Sequence, residues 1–296
     1  MGPTGIGKTA LSISIAKGLE TEIVSCDSRQ FFKEMPIGTA APTPSELSEV
    51  PHHFVLNRSI LEPYSIGQYE QDALNLLKEL FSRYNNIVLV GGSMMYEKAL
   101  IKGLNNLPTA SAENQQKLKE IWNTEGLEAL QQILLELDPK YYSEVDLQNP
   151  RRLLRAIDII WQTQKPYSLL LEEEKSPRPF NVIRIGIKAP RELIYERINK
   201  RVDKMMELGL LEEAKALYPH KDLTALNTVG YKEIFKYLDG EWDLDFTIEE
   251  IMKNSRRFAK RQLTWYNGEE DIYWSEMQNV FENSMNHLRE QGIITP

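Results

Sequence analysis

Three short apolar runs stand out along the chain, at residues 23–26, 87–90 and 182–187. Each run is rich in β-branched residues and is followed by residues suited to a loop or a helix start, which predicts buried strands. Between the runs, apolar residues recur at helical spacing, and we predict helices over 9–19 and 68–84. Strands that alternate with helices indicate an α/β fold built on a parallel sheet.

The pattern changes between Pro108 and about Lys175, where strand-like runs are absent and helix formers dominate. Helices are predicted there at 112–123, 127–137 and 150–163. We interpret residues 108–175 as a helical insertion in an α/β core that is formed by residues 1–107 and 176–296. Helices are also predicted for most of the chain after Arg191.

Composition narrows the class of protein. The chain has 296 residues, of which 42% are hydrophobic, an ordinary share for a protein with a buried core. No apolar run reaches the about 18 residues of a membrane span, and the N-terminus lacks the basic and apolar stretches of a signal peptide. The single cysteine, Cys26, excludes an internal disulfide and a cysteine-based zinc finger. These features predict a cytoplasmic protein with no membrane partner, and we take a monomer as the default state.

The formal net charge of −8 argues against a protein whose whole surface binds nucleic acid. A local basic groove is compatible with it, because salt screens exposed charges that lie beyond about 10 Å. Basic residues cluster in two places: Arg151, Arg152 and Arg155, and Arg256, Arg257, Lys260 and Arg261. Each cluster is typical of a solvated helix face and equally of a surface that contacts RNA phosphates, and the sequence leaves both open.

The N-terminal segment carries candidate chemistry. Gly2-Pro3-Thr4-Gly5-Ile6-Gly7-Lys8-Thr9 matches the phosphate-loop pattern G-x-x-x-x-G-K-[ST] in full, which predicts a P-loop NTPase-like core. Its glycines let several backbone N–H groups point at one anion, and the helix that follows directs its positive end to the same point. Lys8 supplies a mobile cation, and the Thr9 hydroxyl can reach a bound Mg²⁺. The pattern predicts a polyphosphate ligand, and a diphosphate leaving group fits it as well as ATP does.

A phosphate loop normally follows a buried strand, whereas only Met1 precedes it here. Either residues upstream of Met1 are absent from this chain, or the sheet lacks its usual central strand. The sequence leaves these two explanations open.

Polar residues follow the first two apolar runs, and ligands bind beyond the carboxyl ends of parallel strands. In Asp27-Ser28-Arg29-Gln30, the Asp27 carboxylate can accept a proton or hold Mg²⁺, or it can form an Asx turn or a helix cap. In Gly91-Gly92-Ser93, the Ser93 hydroxyl is offered to a ligand or caps the next helix. Arg197 and Arg201 share one helix face, where a bound anion would relieve their repulsion; ordinary surface ion pairing is the alternative.

These segments, in this order, resemble the tRNA dimethylallyltransferase family (tRNA isopentenyltransferases) along nearly the whole chain. The phosphate loop is generic, whereas the full set of motifs is specific. Besides the loop, the set comprises Asp27-Ser28-Arg29-Gln30 with residues 35–40, residues 91–96, 149–156 and 197–206, Val229-Gly230-Tyr231-Lys232, and Arg261-Gln262-Leu263-Thr264-Trp265. Ser93 departs from the family, in which a threonine is more usual at this position.

The resemblance implies a reaction and the residues that carry it. A dimethylallyl group would pass from dimethylallyl diphosphate to the exocyclic amine of the adenine 3′-adjacent to the anticodon in tRNA, with release of diphosphate. The diphosphate would lie on the phosphate loop, aided by Lys8, Arg201 and a Mg²⁺ ion held through Thr9. Asp27 would act as the general base, and Ser93 would hydrogen-bond near the reacting groups.

The resemblance also implies that the helical insertion grips the anticodon stem-loop. The residues implied to contact tRNA are Asp27, Ser28, Arg29, Gln30, Ser93, Arg151, Arg152, Leu153, Leu154, Arg155, Val229, Gly230, Tyr231 and Lys232.

Three other functions are compatible with part of the sequence. A small-molecule P-loop kinase would share the loop but would need neither the insertion nor residues 261–265. An isopentenyltransferase that acts on free adenine nucleotides would need no domain to grip a stem. A non-catalytic RNA-binding ATPase would leave Asp27 and Ser93 without a role.

Overall fold

The structure, a computed structural model, describes residues 1–173 and 176–294. The chain forms two compact units. The core unit is Met1–Ile101 with the chain from Phe180 onward, and the helical unit is Lys102–Pro179. The predicted end of the insertion, Lys175, lies outside the described residues. Within the described ranges, no helix combines the length and the apolarity needed to cross a membrane.

Two parallel sheets form the centre of the core unit. The strands are β1 Ile23–Ser25, β2 His52–His53, β3 Val88–Val90, β4 Arg184–Lys188 and β5 Ile272–Glu276. The first sheet has the order β2-β1-β3, and the second pairs β4 with β5. The α/β class and the parallel arrangement are therefore confirmed, and the three predicted strands are present as β1, β3 and β4, although β3 is half-buried where a buried strand was predicted.

The sequence analysis missed β2 and β5. The described chain after Arg191 is mostly helical, as predicted, and β5 at residues 272–276 is the strand within it that the prediction did not include. The strand pairs with β4 along its whole length, from Arg184 opposite Ile272 to Lys188 opposite Glu276. Its aromatic residues suit a pleated surface, and the burial of Ile272 favours a strand at this position.

The described chain also forms fourteen α-helices. In chain order they are α1 Lys8–Gly18, α2 Pro44–Glu49, α3 Ile66–Leu80, α4 Met94–Lys102, α5 Ala112–Glu125, α6 Leu127–Leu137, α7 Pro139–Glu144, α8 Pro150–Thr163, α9 Tyr167–Glu172, α10 Arg191–Glu207, α11 Leu210–Leu217, α12 Tyr231–Leu238, α13 Leu244–Asn267 and α14 Val280–Glu290. Local capping explains several of the starts. Ser65 and Gln68 form a capping box at α3, and Asp243 accepts a hydrogen bond from the Phe246 N–H at α13.

Apolar packing fixes the phosphate loop in the core unit. Ile6, within the loop, is only 1% exposed. It belongs to a buried cluster whose other members come from β4, α10 and α13: Ile187, Ile194, Ile198 and Ala259. Because Ile6 is anchored on these elements, the neighbouring backbone of the loop is held in place relative to them.

Met1 connects the start of the loop to β4. Its carbonyl accepts a hydrogen bond from the Ile187 N–H at 3.0 Å, and its terminal ammonium donates to the Ile185 carbonyl. These two bonds flank Gly186 in the way that a residue of a parallel strand bonds to its neighbour. The phosphate loop thus leaves from a strand-like position at the edge of β4.

The helical unit contains α5 to α9 and has a hydrophobic core of its own. The predicted helices 112–123, 127–137 and 150–163 correspond to α5, α6 and α8. The core cluster includes six residues of these three helices that are 0% exposed: Leu118, Leu130, Leu134, Leu153, Ala156 and Ile157. Two buried carboxylates fix local structure: Asp138 accepts from the Ser168 N–H at 2.7 Å, and Asp158 accepts from the Asn114 amide at 3.0 Å.

Candidate active site at the phosphate loop

The phosphate loop passes directly into α1, so its backbone N–H groups and the helix N-terminus face one region. Gly7 precedes the helix with φ of 105°, a left-handed conformation that favours glycine. Gly5 has φ of 80°, and a Cβ there would lie 3.2 Å from the Ile198 side chain on α10. The two glycines therefore allow both the curl of the loop and its close approach to α10.

The Lys8 side chain folds back over the loop. Its ammonium donates to the carbonyls of Gly2 and Pro3, both at 2.9 Å. Burial lowers the pKa of Lys8 from 10.5 to about 8; the Asp27 carboxylate opposes this shift and the Arg201 guanidinium adds to it. Among residues 1–173 and 176–294, no carboxylate lies within ion-pair distance of the Lys8 ammonium, and a cation in this position would bind an anion strongly.

Arg201 and Arg197 both reach the loop from α10, but they serve different groups. The half-buried Arg201 donates to the Thr4 hydroxyl at 3.1 Å and to the Thr39 carbonyl at 3.4 Å. Burial lowers its pKa, and the Asp27 carboxylate opposes this. The exposed Arg197 donates to the Gly5 carbonyl at 2.8 Å. Arg201 thus lies beside the predicted anion site, whereas Arg197 supports the loop backbone from outside.

Asp27 follows β1 and has two oxygens in different surroundings. Oδ1 accepts a hydrogen bond from the Arg29 N–H at 3.1 Å, which is the Asx turn that the sequence left as an alternative. Oδ2 lies against Gly92, where a Cβ would come within 2.8 Å of it. The turn thus orients the carboxylate through one oxygen, and the absence of a side chain at Gly92 makes room for the other.

Ser93 and Ser28 are joined across the ends of β3 and β1. The Ser93 hydroxyl accepts from the Ser28 N–H at 2.9 Å and shares a hydrogen bond of 2.8 Å with the Ser28 hydroxyl. The Ser93 carbonyl accepts from the N–H groups of Tyr96 and Glu97, which starts α4. Ser93 therefore contributes its backbone to the helix start and its hydroxyl to the segment that carries Asp27.

Arg29 and Gln30, predicted as tRNA contacts, use their side chains on neighbouring loops. Arg29 donates to the carbonyls of Thr224 and Ala225, both at 2.9 Å. The Gln30 amide donates to the carbonyls of Thr39 at 3.2 Å and Ala40 at 3.0 Å. These bonds give the two side chains a role in shaping the site.

Gln262 on α13 is a residue of this site to which the sequence analysis gave no role. Its side chain is fully buried; Oε1 accepts from the Thr4 N–H at 2.8 Å, and Nε2 donates to the Gly92 carbonyl at 2.7 Å. The available signal was periodicity, because Gln262 lies on the buried stripe of α13 with Ala259 and Tyr266. A polar residue on an apolar stripe indicates a buried hydrogen-bonding role.

The segment Val229-Gly230-Tyr231-Lys232, predicted to contact tRNA, is mostly buried in the core unit. Tyr231 is fully buried, and its hydroxyl donates to Glu213 at 2.6 Å. The same carboxylate accepts from the N–H groups of Ile37 and Gly38. The Tyr231 side chain therefore has a packing role within the core unit, and its contact with tRNA stays a prediction. Val229 packs against the same apolar cluster and Gly230 is buried at the start of α12, whereas Lys232 is exposed.

Residues 151–155 of the helical unit, also predicted to contact tRNA, include both exposed and buried side chains. Arg151 and Arg152 are exposed on the first turn of α8, as a phosphate contact requires. Arg155 is half-buried and donates to the Pro108 carbonyl at 2.6 Å. Leu153 and Leu154 are 0% and 8% exposed and pack in the apolar core of the unit, and their contact with tRNA stays a prediction.

The second basic cluster lies on α13. Arg256 donates to the Asn199 side chain at 2.6 Å and is half-buried. Arg257, Lys260 and Arg261 are exposed. The α13 cluster therefore offers three exposed cations for contacts with an anionic partner.

The oxygen donors near the loop suit a Mg²⁺ ion that arrives with a phosphate ligand. Within residues 1–173 and 176–294, no three His, Cys, Asp or Glu side chains converge as metal ligands. Mg²⁺ commonly takes one or two protein oxygens and completes its shell with water and substrate phosphates. The Thr9 hydroxyl and the Asp27 carboxylate provide donors of this kind, whereas a site formed by protein ligands alone does not fit.

Known proteins that resemble this chain belong to one family. A family model described as IPP transferase matches residues 30–269. The chain is 50% identical over 274 residues to tRNA dimethylallyltransferase 1 of Bacteroides fragilis, covering 93% of this chain and 91% of that protein. It is 51% identical over 288 residues to tRNA dimethylallyltransferase of Christiangramia forsetii, covering 97% and 95%.

Solved structures of related proteins share the fold. The tRNA isopentenylpyrophosphate transferase of Bacillus halodurans has a TM-score of 0.71 and 34% identity, covering 98% of this chain and 96% of that one. A eukaryotic dimethylallyltransferase whose structures capture it acting on tRNA has a TM-score of 0.81 and 25% identity, covering 98% and 77%.

Proposed function

Since the chain belongs to the IPP transferase family, we propose that it is a tRNA dimethylallyltransferase. It transfers a dimethylallyl group from dimethylallyl diphosphate to the exocyclic amine of the adenine 3′-adjacent to the anticodon and releases diphosphate. The observation that carries the chemistry is the position of Asp27. Its carboxylate lies against Gly92, and the Gln262 amide that donates to the Gly92 carbonyl also accepts from the Thr4 N–H of the phosphate loop, so the base is held close to that loop.

The leaving group is stabilised by charge. As the C–O bond of the allylic diphosphate breaks, its electron pair stays on the diphosphate, which gains negative charge. Loop N–H groups, the Lys8 ammonium and the Arg201 guanidinium are the groups that offset this charge. A Mg²⁺ ion bound through Thr9 would supply further charge stabilisation to the diphosphate oxygens. No ATP hydrolysis enters this reaction.

The acceptor is activated by position and by proton removal. The adenine amine is a weak nucleophile because its lone pair is delocalised into the ring. Its electron pair forms the new N–C bond, and the proton it loses passes to Asp27, a contribution of about 10²–10⁴-fold. The Asx turn and Gly92 hold the carboxylate in one orientation for this step. Ser93, bonded to Ser28, fixes the segment on which Asp27 lies.

Recognition of the RNA rests on exposed cations. Arg151 and Arg152 of the helical unit, together with Arg257, Lys260 and Arg261 of α13, are proposed to contact phosphates of the anticodon stem-loop. The target adenine has to leave its stack to react, at a cost of a few kcal/mol that an anticodon loop lowers because it is already partly unstacked.

Label transfer tests the proposed function. The protein is incubated with radiolabelled dimethylallyl diphosphate, Mg²⁺ and unmodified tRNA, with AMP, ADP and ATP as alternative acceptors in parallel. We expect label in tRNA, located by nuclease digestion to the adenine beside the anticodon. Label in free nucleotides alone would contradict the tRNA substrate, and ATP consumption without prenyl transfer would contradict the reaction.

A further inference from the structure

The buried amide of Gln262 joins the two loops that the reaction needs. Its oxygen accepts the Thr4 N–H of the phosphate loop at 2.8 Å, and its nitrogen donates to the Gly92 carbonyl at 2.7 Å. Gln262 lies 258 residues from Thr4 and 170 from Gly92 in sequence, so the link is made only by the fold. A side-chain amide has one donor end and one acceptor end, and here each end has a partner of the opposite kind.

Each hydrogen-bond partner of Gln262 adjoins a group that the reaction uses: Thr4 contacts Arg201, and Gly92 contacts Asp27. Thr4 also accepts a hydrogen bond from Arg201 through its hydroxyl, so its peptide lies on the leaving-group side of the site. Gly92 lies against the Asp27 Oδ2, and a Cβ on Gly92 would also come within 3.3 Å of the Gln262 amide nitrogen. One amide thus spans the distance between the cradle of the diphosphate and the carboxylate that takes the proton.

We propose that Gln262 is a positioning residue that sets the separation between the phosphate loop and the Gly92 loop that flanks Asp27. This rests on the proposed function, because it assigns the two loops to the leaving group and to the base. Gln262 is fully buried, so water does not compete for its two hydrogen bonds. Loss of the amide frees the two loops to move relative to each other while leaving the binding groups of each loop intact.

A positioning role predicts a loss in kcat with little change in KM. Displacement of a reacting group by about 1 Å costs on the order of 10²-fold in rate, because reaction requires near-contact geometry. Gln262→Met keeps the length of the side chain and removes both hydrogen bonds. We expect kcat for transfer to tRNA to fall about 10²-fold, with KM for both substrates within about threefold and affinity for inorganic diphosphate, measured by calorimetry, nearly unchanged.

Two further variants make the result specific. Gln278→Met makes the same substitution at an exposed glutamine of the core unit and should leave kcat unchanged. Gln262→Glu keeps an acceptor for the Thr4 N–H, removes the donor to Gly92 and adds a negative charge beside the loop. It should lower kcat and also weaken binding of inorganic diphosphate.

The outcomes separate this proposal from the proposed function. If the wild-type protein transfers no label to tRNA, the proposed function fails and the role of Gln262 fails with it. If the wild type is active and folded Gln262→Met retains its kcat, or loses only in KM, the positioning role is wrong while the function stands. Should Gln262→Met not fold, Gln262→Glu is judged by the same loss of kcat. If neither variant folds, the residue is structural and the proposal is wrong.

Discussion

The core unit and the helical unit use polar side chains in different ways. At the phosphate loop, half-buried and buried groups such as Arg201 and Gln262 bond to segments 197 and 258 residues away in sequence. In the helical unit, Arg151 and Arg152 project from the first turn of α8 and are exposed. The first region presents preformed geometry, and the second presents accessible charge. Mutations in the first should therefore act on the rate of transfer, and mutations in the second on RNA affinity and its dependence on salt.

The largest effect is expected at Asp27. Asp27→Asn keeps the oxygen that accepts the Arg29 N–H, so the Asx turn is retained while the basic oxygen is lost. We expect kcat for transfer to tRNA to fall about 10²–10⁴-fold, with affinity for tRNA and inorganic diphosphate nearly unchanged. Single-turnover transfer and filter binding measure the two quantities.

Asp222→Asn is the matched control, because Asp222 is an exposed carboxylate of the same unit. It should leave the rate of transfer unchanged. If Asp27→Asn retains most of the wild-type rate, another group removes the proton. Mutations at the phosphate-loop region would then not be distinguished from those in the helical unit by their effect on the rate of transfer.

The second effect tests the division of the basic motif in the helical unit. Leu153 is fully buried in the apolar core of α5, α6 and α8. Leu153→Ala should lower the free energy of unfolding by about 2–5 kcal/mol, because burial is reduced and a cavity is left behind. Denaturant unfolding followed by fluorescence measures this change. Binding of inorganic diphosphate at moderate denaturant should persist where transfer to tRNA has already ceased.

Leu135→Ala provides the comparison, since Leu135 is 37% exposed on α6 of the same unit. We expect it to cost less than about 1 kcal/mol, as surface substitutions do. If the two substitutions lower the free energy of unfolding by the same amount, Leu153 does not stabilise the apolar core more than an exposed leucine does. A direct contact with RNA would then be the better explanation of this residue.

The third effect concerns the charge of Lys8. Its pKa is lowered to about 8, so the ammonium is charged below that pH and is lost as the pH rises through it. Affinity for inorganic diphosphate should therefore fall by about tenfold between pH 7 and pH 9, since one pKa unit corresponds to a tenfold change in the protonation ratio. Calorimetric titration at several pH values measures the profile.

Lys8→Arg removes this titration, because a guanidinium stays charged throughout that range. Any change that remains in this variant belongs to the ligand or to other groups and is subtracted. Identical profiles for the two proteins would mean that Lys8 does not titrate near pH 8, contrary to the burial that lowers its pKa.

The sequence predicted strands and helices better than it predicted the long-range contacts of the site, for physical reasons. Strands β1, β3 and β4 contain short apolar runs that stand out in the sequence, whereas β2 has two residues, too few for any pattern. A phosphate loop is a local motif, so its residues adjoin in sequence. Partnerships such as that of Gln262 with Thr4 depend on the fold, and no local signal names them. In the helical unit, Arg152 is exposed and its neighbour Leu153 is buried, because successive helix positions point about 100° apart, whereas the resemblance implied an RNA contact for both.

The fourth effect is electrostatic. Arg151→Ala combined with Arg152→Ala should weaken tRNA binding and lower the slope of log affinity against log salt by about 0.7–0.9 for each phosphate that is no longer neutralised. The kcat at saturating tRNA should stay near that of the wild type. Lys119→Ala with Lys165→Ala removes two exposed cations elsewhere in the same unit. Equal reductions of affinity in the two pairs would indicate general charge attraction without a defined phosphate interaction at α8.

The smallest effect is expected at Ser93, where the family more often has threonine. The Ser93 hydroxyl bonds to the Ser28 N–H and hydroxyl, and Ser93→Thr keeps that hydroxyl while adding one methyl group. We expect kcat to stay within about threefold of the wild type, which is less than about 1 kcal/mol of barrier. Ser93→Ala removes the hydroxyl and leaves the Ser28 N–H without this partner, at a cost of about 1–3 kcal/mol where the group is buried. If Ser93→Thr lowers kcat as much as Ser93→Ala does, the space around the hydroxyl and not its hydrogen bond determines which residue is accepted at this position. The geometry of the core unit would then be sensitive to the addition of a single methyl group.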